Sequence, residues 1–153
     1  MITTTPIPEG LCEIRVHYRP VEAADAPWIY SSWLRTYERS VRARDAGAAY
    51  WDGHHAAVAA VLQNPDARGI VAVVPESPGT ILGWIVYEPN VLHYLHVKDG
   101  FRRAGLGRAL LQGAMPVGYY THRTKSGEAF LTGVLSEAKY DPYQFRPAIG
   151  PKE

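Results

Sequence analysis

The chain has 153 residues, 46% hydrophobic and 20% charged, with Lys+Arg 16 against Asp+Glu 15. That length suits one domain with a real core, and the near-neutral balance excludes binding of nucleic acid by bulk charge alone. No apolar run approaches the ~20 residues of a membrane helix, "MITTTPIPEG" does not read as a signal peptide, and the single cysteine, Cys12, excludes an internal disulfide framework or a multi-Cys zinc site. The expected protein is cytoplasmic, a monomer or homodimer, with no membrane partner.

Residues 1–11 read as a flexible N-terminal segment, 12–141 as the folded domain and 142–153 as a proline-rich tail. "CEIRVHY" alternates Ile14, Val16 and Tyr18 with polar residues, the pattern of a half-buried strand. Asp25 before Ala26-Pro27 predicts a helix start with Asp as N-cap, and Trp28, Ile29, Trp33 and Leu34 predict its apolar face. A second helix fits "YWDGHHAAVAAVLQ", closed by Asn64-Pro65. "GIVAVV" and "TILGWIVYE" read as strands joined by a turn over residues 75–79, and "NVLHYLHV" as the next strand. "GLGRALLQGAM" predicts a helix ending near Pro116, "VGYYTHR" a short strand, and "SGEAFLTGVLSEAK" a helix with Ser126 as N-cap. The order β, α, α, β, β, β, α, β, α defines a single mixed α/β domain.

"VKDGFRRAGLGRALL" places Arg102-x-x-Gly105-x-Gly107 between a strand and a helix. Glycine inside a helix costs roughly 1 kcal/mol relative to Ala, so its use there asks for a reason. The first N–H groups of a helix lack intrahelical partners and, with the helix dipole, favour an anion. Glycines 105 and 107 let a ligand approach the backbone, and Arg102, Arg103 and Arg108 add positive charge. A diphosphate suits such a loop. Neither G-x-x-x-x-G-K-[ST] nor a dinucleotide-binding G-x-G-x-x-G is present.

"LHYLHVKDGFRRAGLGRALL" resembles motif A of the GCN5-related N-acetyltransferases (GNAT), and "IRVHYRPVEAADAPWI" is similar to that family's first strand and helix. The resemblance covers roughly residues 12–125. It implies a central, mostly antiparallel mixed sheet flanked by helices, with strands splayed at the coenzyme A site. It implies acetyl-CoA, or another acyl-CoA, with its pyrophosphate against Arg102, Arg103, Ala104, Gly105, Leu106, Gly107 and Arg108. Pantetheine would then pair with the backbone of Leu95, His96 and Val97.

Acyl transfer to an amine needs the amine neutral, and a lysine-type amine has a reference pKa near 10.4. A base is therefore wanted. His93 lies four residues before Val97, the spacing of a histidine in the arylalkylamine acetyltransferases, and Glu88 is the runner-up. Strand alternation puts Val91, His93, Leu95 and Val97 on one face and Leu92, Tyr94 and His96 on the other. Tyr94 and His96 read as packing residues. Many family members carry a tyrosine acid in N-x-x-A-x-x-x-Y, which is absent here; "YYTHRTKSGEAFLTG" offers Tyr119, Tyr120 and His122, with Tyr140 or Tyr143 later, and Tyr120 is the choice.

The first two helices of this fold line the acceptor. Here they offer Trp33 and Tyr37 with Arg39, Arg42 and Arg44, either a solvated basic face or a surface for an acidic acceptor. His54 and His55 are adjacent, so they diverge and make a poor metal pair. The expected activity is acyl transfer to a small-molecule or peptide amine in a ternary complex. The alternatives are modification of a nucleotide or nucleobase amine in nucleic acid, and a catalytically inactive CoA-binding module.

Overall fold

The computed structural model describes residues 2–6, 13–40, 47–102, 104–135 and 137–145. In chain order they form β1 (Ile2–Pro6), β2 (Glu13–Pro20), α1 (Ala26–Glu38), α2 (Ala48–Gln63), β3 (Arg68–Val74), β4 (Ser77–Glu88), β5 (Asn90–Val97), α3 (Leu106–Ala114), β6 (Val117–Tyr120), α4 (Lys125–Val134) and β7 (Lys139–Tyr140), with 3-10 turns at Ala23–Asp25 and Pro142–Gln144. The strands make one seven-stranded sheet in sequence order, antiparallel from β1 to β5 and parallel from β5 to β7. This is the mixed α/β class that the element order predicts, with the mostly antiparallel sheet that the resemblance implies.

Two elements differ from that reading. Ile2–Pro6, expected to be flexible, is a strand paired with β2. Its three threonines are β-branched and favour an extended backbone, but their polarity hides them from a hydrophobic-alternation test. Lys139–Tyr140 forms β7 beside β6, too short to carry any period.

The sheet is covered on both faces. On one, Ile29, Trp33 and Tyr37 of α1 and Val58 and Val61 of α2 pack with Val71, Val73, Trp84, Val86 and Tyr94. On the other, Leu106, Leu110 and Leu111 of α3 and Leu131 near the end of α4 meet Val16, Ala72, Leu82, Ile85 and Leu92. The β-branched run of β3 serves both layers, with Val71 and Val73 on one side and Ala72 on the other. Complete burial of a Val, Leu or Ile side chain contributes about 1.5–3 kcal/mol. Trp84 Nε1 donates to Ser32 Oγ at 2.9 Å, which ties β4 to α1 without leaving the indole N–H unpaired.

Asp25 does not cap α1 with its side chain, contrary to expectation. Its carboxylate accepts from the Glu22 N–H at 2.8 Å and from both guanidinium nitrogens of Arg19 at 2.7 and 3.0 Å. The Arg19 hydrogen bond, opposed by burial, holds the carboxyl below the usual range. This pair fixes the entry of α1 to the end of β2. Asp25→Asn is expected to cost about 1.5–3 kcal/mol, because it removes the charged acceptor of two Arg19 hydrogen bonds and leaves only Glu22, 3.4 Å away, as counter-charge. An unchanged urea midpoint would contradict that role. At α4, Thr124 Oγ1 accepts from the Gly127 N–H at 2.9 Å, so Thr124 rather than Ser126 is the N-cap. Among the described residues no helix is long and apolar enough to cross a membrane.

Candidate active site

The site begins with a fault in β5. Val86 pairs with Tyr94 and Tyr87 with Leu92, so His93 is an extra residue, a β-bulge. Leu92 packs in the α3 layer, while Tyr94 packs in the α1 layer. In an unbroken strand these two would share a face. The bulge therefore overturns the expected grouping of residues 91–97 and aims His93 away from the α3 layer, toward Phe145 at a ring distance of 5.5 Å.

The same place opens the sheet. β5 and β6 pair at Asn90–Val117, Val91–Tyr119 and Leu92–Tyr120, and the Thr121 N–H adds a last bond to the Leu92 carbonyl at 3.0 Å. β5 then runs on to Val97 beyond the end of β6. On its other side the Lys98 N–H donates to the Leu82 carbonyl at 2.8 Å. Hydrogen-bonded pairs alternate along an antiparallel ladder, so His96, opposite Trp84, directs its N–H and C=O to β4. Leu95 and Val97 direct theirs to the opening. Of the three residues expected to pair with a ligand, His96 is thus engaged within the sheet. The Val97 carbonyl accepts from Arg102 Nε at 3.2 Å.

Beyond Val97 the chain turns into α3. Gly105 is its N-cap at φ +87°, a conformation L side chains rarely adopt, and no side chain caps the helix there. The Ala109 N–H bonds the Gly105 carbonyl at 3.1 Å as the first helical bond, so the amides of Leu106, Gly107 and Arg108 precede the ladder. A Cβ built on Gly105 meets nothing within 4 Å among the described residues. Arg102 is exposed and 3.4 Å from Asp99, Ala104 is half-buried and Arg108 is exposed. Cys12, Arg42, Arg44 and Arg103 lie outside the described residues.

The resemblance to the GNAT loop predicts that Gly105→Val abolishes binding of acetyl-CoA while the protein stays folded. The left-handed backbone costs a β-branched residue about 1–2 kcal/mol, so the loop would leave the conformation that presents its amides. At a hundredfold excess over Kd the wild type should gain about 2.7 kcal/mol from the ligand, and the variant none. Equal thermal shifts would exclude the loop.

At the start of the opening, Glu88 and His93 form a close pair. His93 Nε2 lies 2.6 Å from Glu88 Oε2, with the imidazole fully buried and the carboxylate side chain 23% exposed. Pro89 and the left-handed Asn90, at φ 68°, reverse the chain between them. Burial pushes His93 below its ordinary value against the opposing pull of Glu88. Of the two candidates for the base, Glu88 is the member that reaches solvent, and the His93 ring is closed off behind it.

Tyr120 packs in the α3 layer and against Tyr140, at a ring distance of 5.7 Å. Its neighbour Thr121 faces His93, so alternation keeps Tyr120 away from the pair. Trp33 and Tyr37, expected at an acceptor surface, are core residues at 0% and 7% exposure. Trp33 stacks on Tyr94 at 5.3 Å. Only Arg39 of the described acceptor candidates is exposed. Tyr94 Oη lies 2.9 Å from Thr36 Oγ1, and burial pushes the phenol up to about 12. His96 packs against Trp28 and Trp84. His54 points inward and His55 outward to Glu38 at 2.6 Å, the divergence expected of adjacent residues. Among the described residues no cluster of three or more His, Cys, Asp or Glu is arranged to hold a metal ion.

No family model and no curated protein matches the sequence. Solved structures do. A GCN5-related N-acetyltransferase from Ralstonia eutropha JMP134 superposes with a TM-score of 0.57 at 18% identity, over 78% of this chain and 91% of that one. Apo-form YjaB from Escherichia coli superposes at 0.50 with 20% identity over 65% of this chain and 64% of that one, less than two thirds of its length. The chain has the fold of the GCN5-related N-acetyltransferases.

Proposed function

We propose that the protein transfers an acetyl or other acyl group from acyl-CoA to an amine by direct attack in a ternary complex. The observation that supports this reading most is the open edge of β5 over residues 93–97, bounded at one end by the Gly105 helix N-terminus and at the other by Glu88 and His93. The residues present fit the ligand. The amides of Leu106, Gly107 and Arg108 would hold a pyrophosphate, with Arg102 beside them. The N–H and C=O of Leu95 and the N–H of Val97 would hold an extended amide-bearing arm as a further strand does.

Acetyl-CoA, when bound, supplies a thioester carbonyl to the incoming nitrogen. Glu88 accepts the proton that the amine must lose, and His93 holds that carboxylate in place by donating from Nε2. Proximity to the open edge orients the amine. The bond formed is carbon to nitrogen, the bond broken is carbon to sulfur, and coenzyme A leaves as a thiolate that takes its proton from solvent. The test is release of free thiol from acetyl-CoA against amines, peptides and DNA. Release with small or peptide amines supports the reading, whereas binding of acetyl-CoA without turnover on any of them assigns the chain to a CoA-binding module.

A further inference from the structure

Behind His93 lies an unbroken run of polar atoms inside an otherwise aromatic core. His93 Nδ1 is 3.2 Å from Thr121 Oγ1, that oxygen is 2.9 Å from His122 Nδ1, and His122 Nε2 is 2.9 Å from His54 Nε2. Thr121, His122 and His54 are 4%, 8% and 7% exposed. The run crosses the molecule from the end of β4 to α2 and ends at His54 Nδ1, which is buried and has no hydrogen-bond partner among the described residues.

The chemistry of the atoms restricts how protons are ordered along it. A neutral imidazole has one donor and one acceptor, and a hydroxyl donates once. With Glu88 ionised, His93 donates from Nε2, so His93 Nδ1 must accept from Thr121. Thr121 then accepts from His122 Nδ1, and His122 Nε2 accepts from His54 Nε2. The group left over is the bare Nδ1 of His54, an acceptor. The opposite order would need a protonated Glu88 and would leave a buried N–H unpaired at His54, the rarer defect in proteins. The Thr121 hydroxyl also lies 3.4 Å from the His93 carbonyl, but donating there would strand His93 Nδ1.

We propose that Thr121, His122 and His54 are positioning residues that hold His93 as the Nε2–H tautomer, so that it donates to Glu88 and holds that carboxylate oriented toward the opening. The proposal rests on the acyl-transfer reading for its catalytic consequence but not for its geometry. The separation of the three along the chain, from α2 to the segment after β6, leaves no sequence pattern to reveal them.

Two-bond proton–nitrogen spectra of the ring nitrogens test the order directly. The expected result is protonated Nε2 and bare Nδ1 for His93 and His54, with protonated Nδ1 and bare Nε2 for His122. A His93 proton on Nδ1 in the wild type overturns the proposal. Thr121→Val removes the hydroxyl and keeps the branched shape, and Thr121→Ser restores the hydroxyl. Val should move the His122 proton from Nδ1 and lower kcat about tenfold, at unchanged KM for acetyl-CoA, while Ser should restore both. Unchanged His122 spectra and kcat in the Val variant would overturn the proposal. If Val does not fold, the wild-type spectrum still decides. Absence of any amine acetylation by the wild type would defeat the acyl-transfer reading alone, since the spectra report the order without turnover.

Discussion

Glu88→Gln is expected to lower kcat/KM for amine acetylation by about 10²–10⁴, with binding of acetyl-CoA retained. The amide keeps the size of the side chain and can still accept from His93 Nε2, 2.6 Å away in the wild type, but it cannot take a proton from an amine. His93→Ala should be the milder change, about ten- to a hundredfold, because it removes the donor that orients the carboxylate rather than the acceptor itself. The ranking reverses the one read from the sequence, and its cause is burial: the ring is 1% exposed, the carboxylate partly open. If His93→Ala is crippling and Glu88→Gln nearly silent, the imidazole is the base after all. Silence of both would leave positioning of an amine that arrives neutral as the source of rate.

The second large effect concerns acid. Burial, reinforced by neighbouring cations, pushes His54 and His96 down to about 4, and it also lowers His93 and, further, His122. In the unfolded chain each returns toward 6.5. Between those values the unfolded state binds more protons, so stability is fully present above about pH 6.5 and is lost as pH falls through the folded values. His54 and His96 each account for about 3 kcal/mol across that window. Urea unfolding should therefore show a steep loss of stability between about pH 7 and pH 5, with uptake of about two protons from this pair alone near pH 5. A urea midpoint that does not move over that interval would refute the buried neutral state of these rings.

The long elements and the helix-start loop were legible because their signals are local. Gly105 at the head of α3 is a backbone requirement written in one residue, and the alternation in β2 and the β-branched run of β3 need no distant partner to be read. The fold class followed from their order. What escaped the reading depends on contacts across the chain. Trp33 and Tyr37 looked like an aromatic surface because nothing in α1 states that Tyr94, His122 and Phe145 close over them. The bulge at His93 has no composition of its own. It exists because β4 and β5 differ by one residue in the length they bring to their shared ladder. Thr121 and His122 were read as part of the short strand "VGYYTHR", and nothing in that stretch states that His122 meets a helix of the first half of the chain.

The bulge also has a bearing on how this sequence can change. A strand carries a phase, and His93 is a half-period slip in it: the residues ahead of it and those behind it obey opposite parities. Substitution anywhere in β5 leaves that slip in place, whereas loss or gain of a single residue there would either erase it or double it. Erasure by loss of His93 would leave Leu92 and Tyr94 as consecutive residues of a regular strand, each still in its own layer, and would remove only the ring that meets Glu88. The odd residue is thus surplus to the two cores and belongs to the site alone. A strand transplanted here without it would keep the layering and lose the pair.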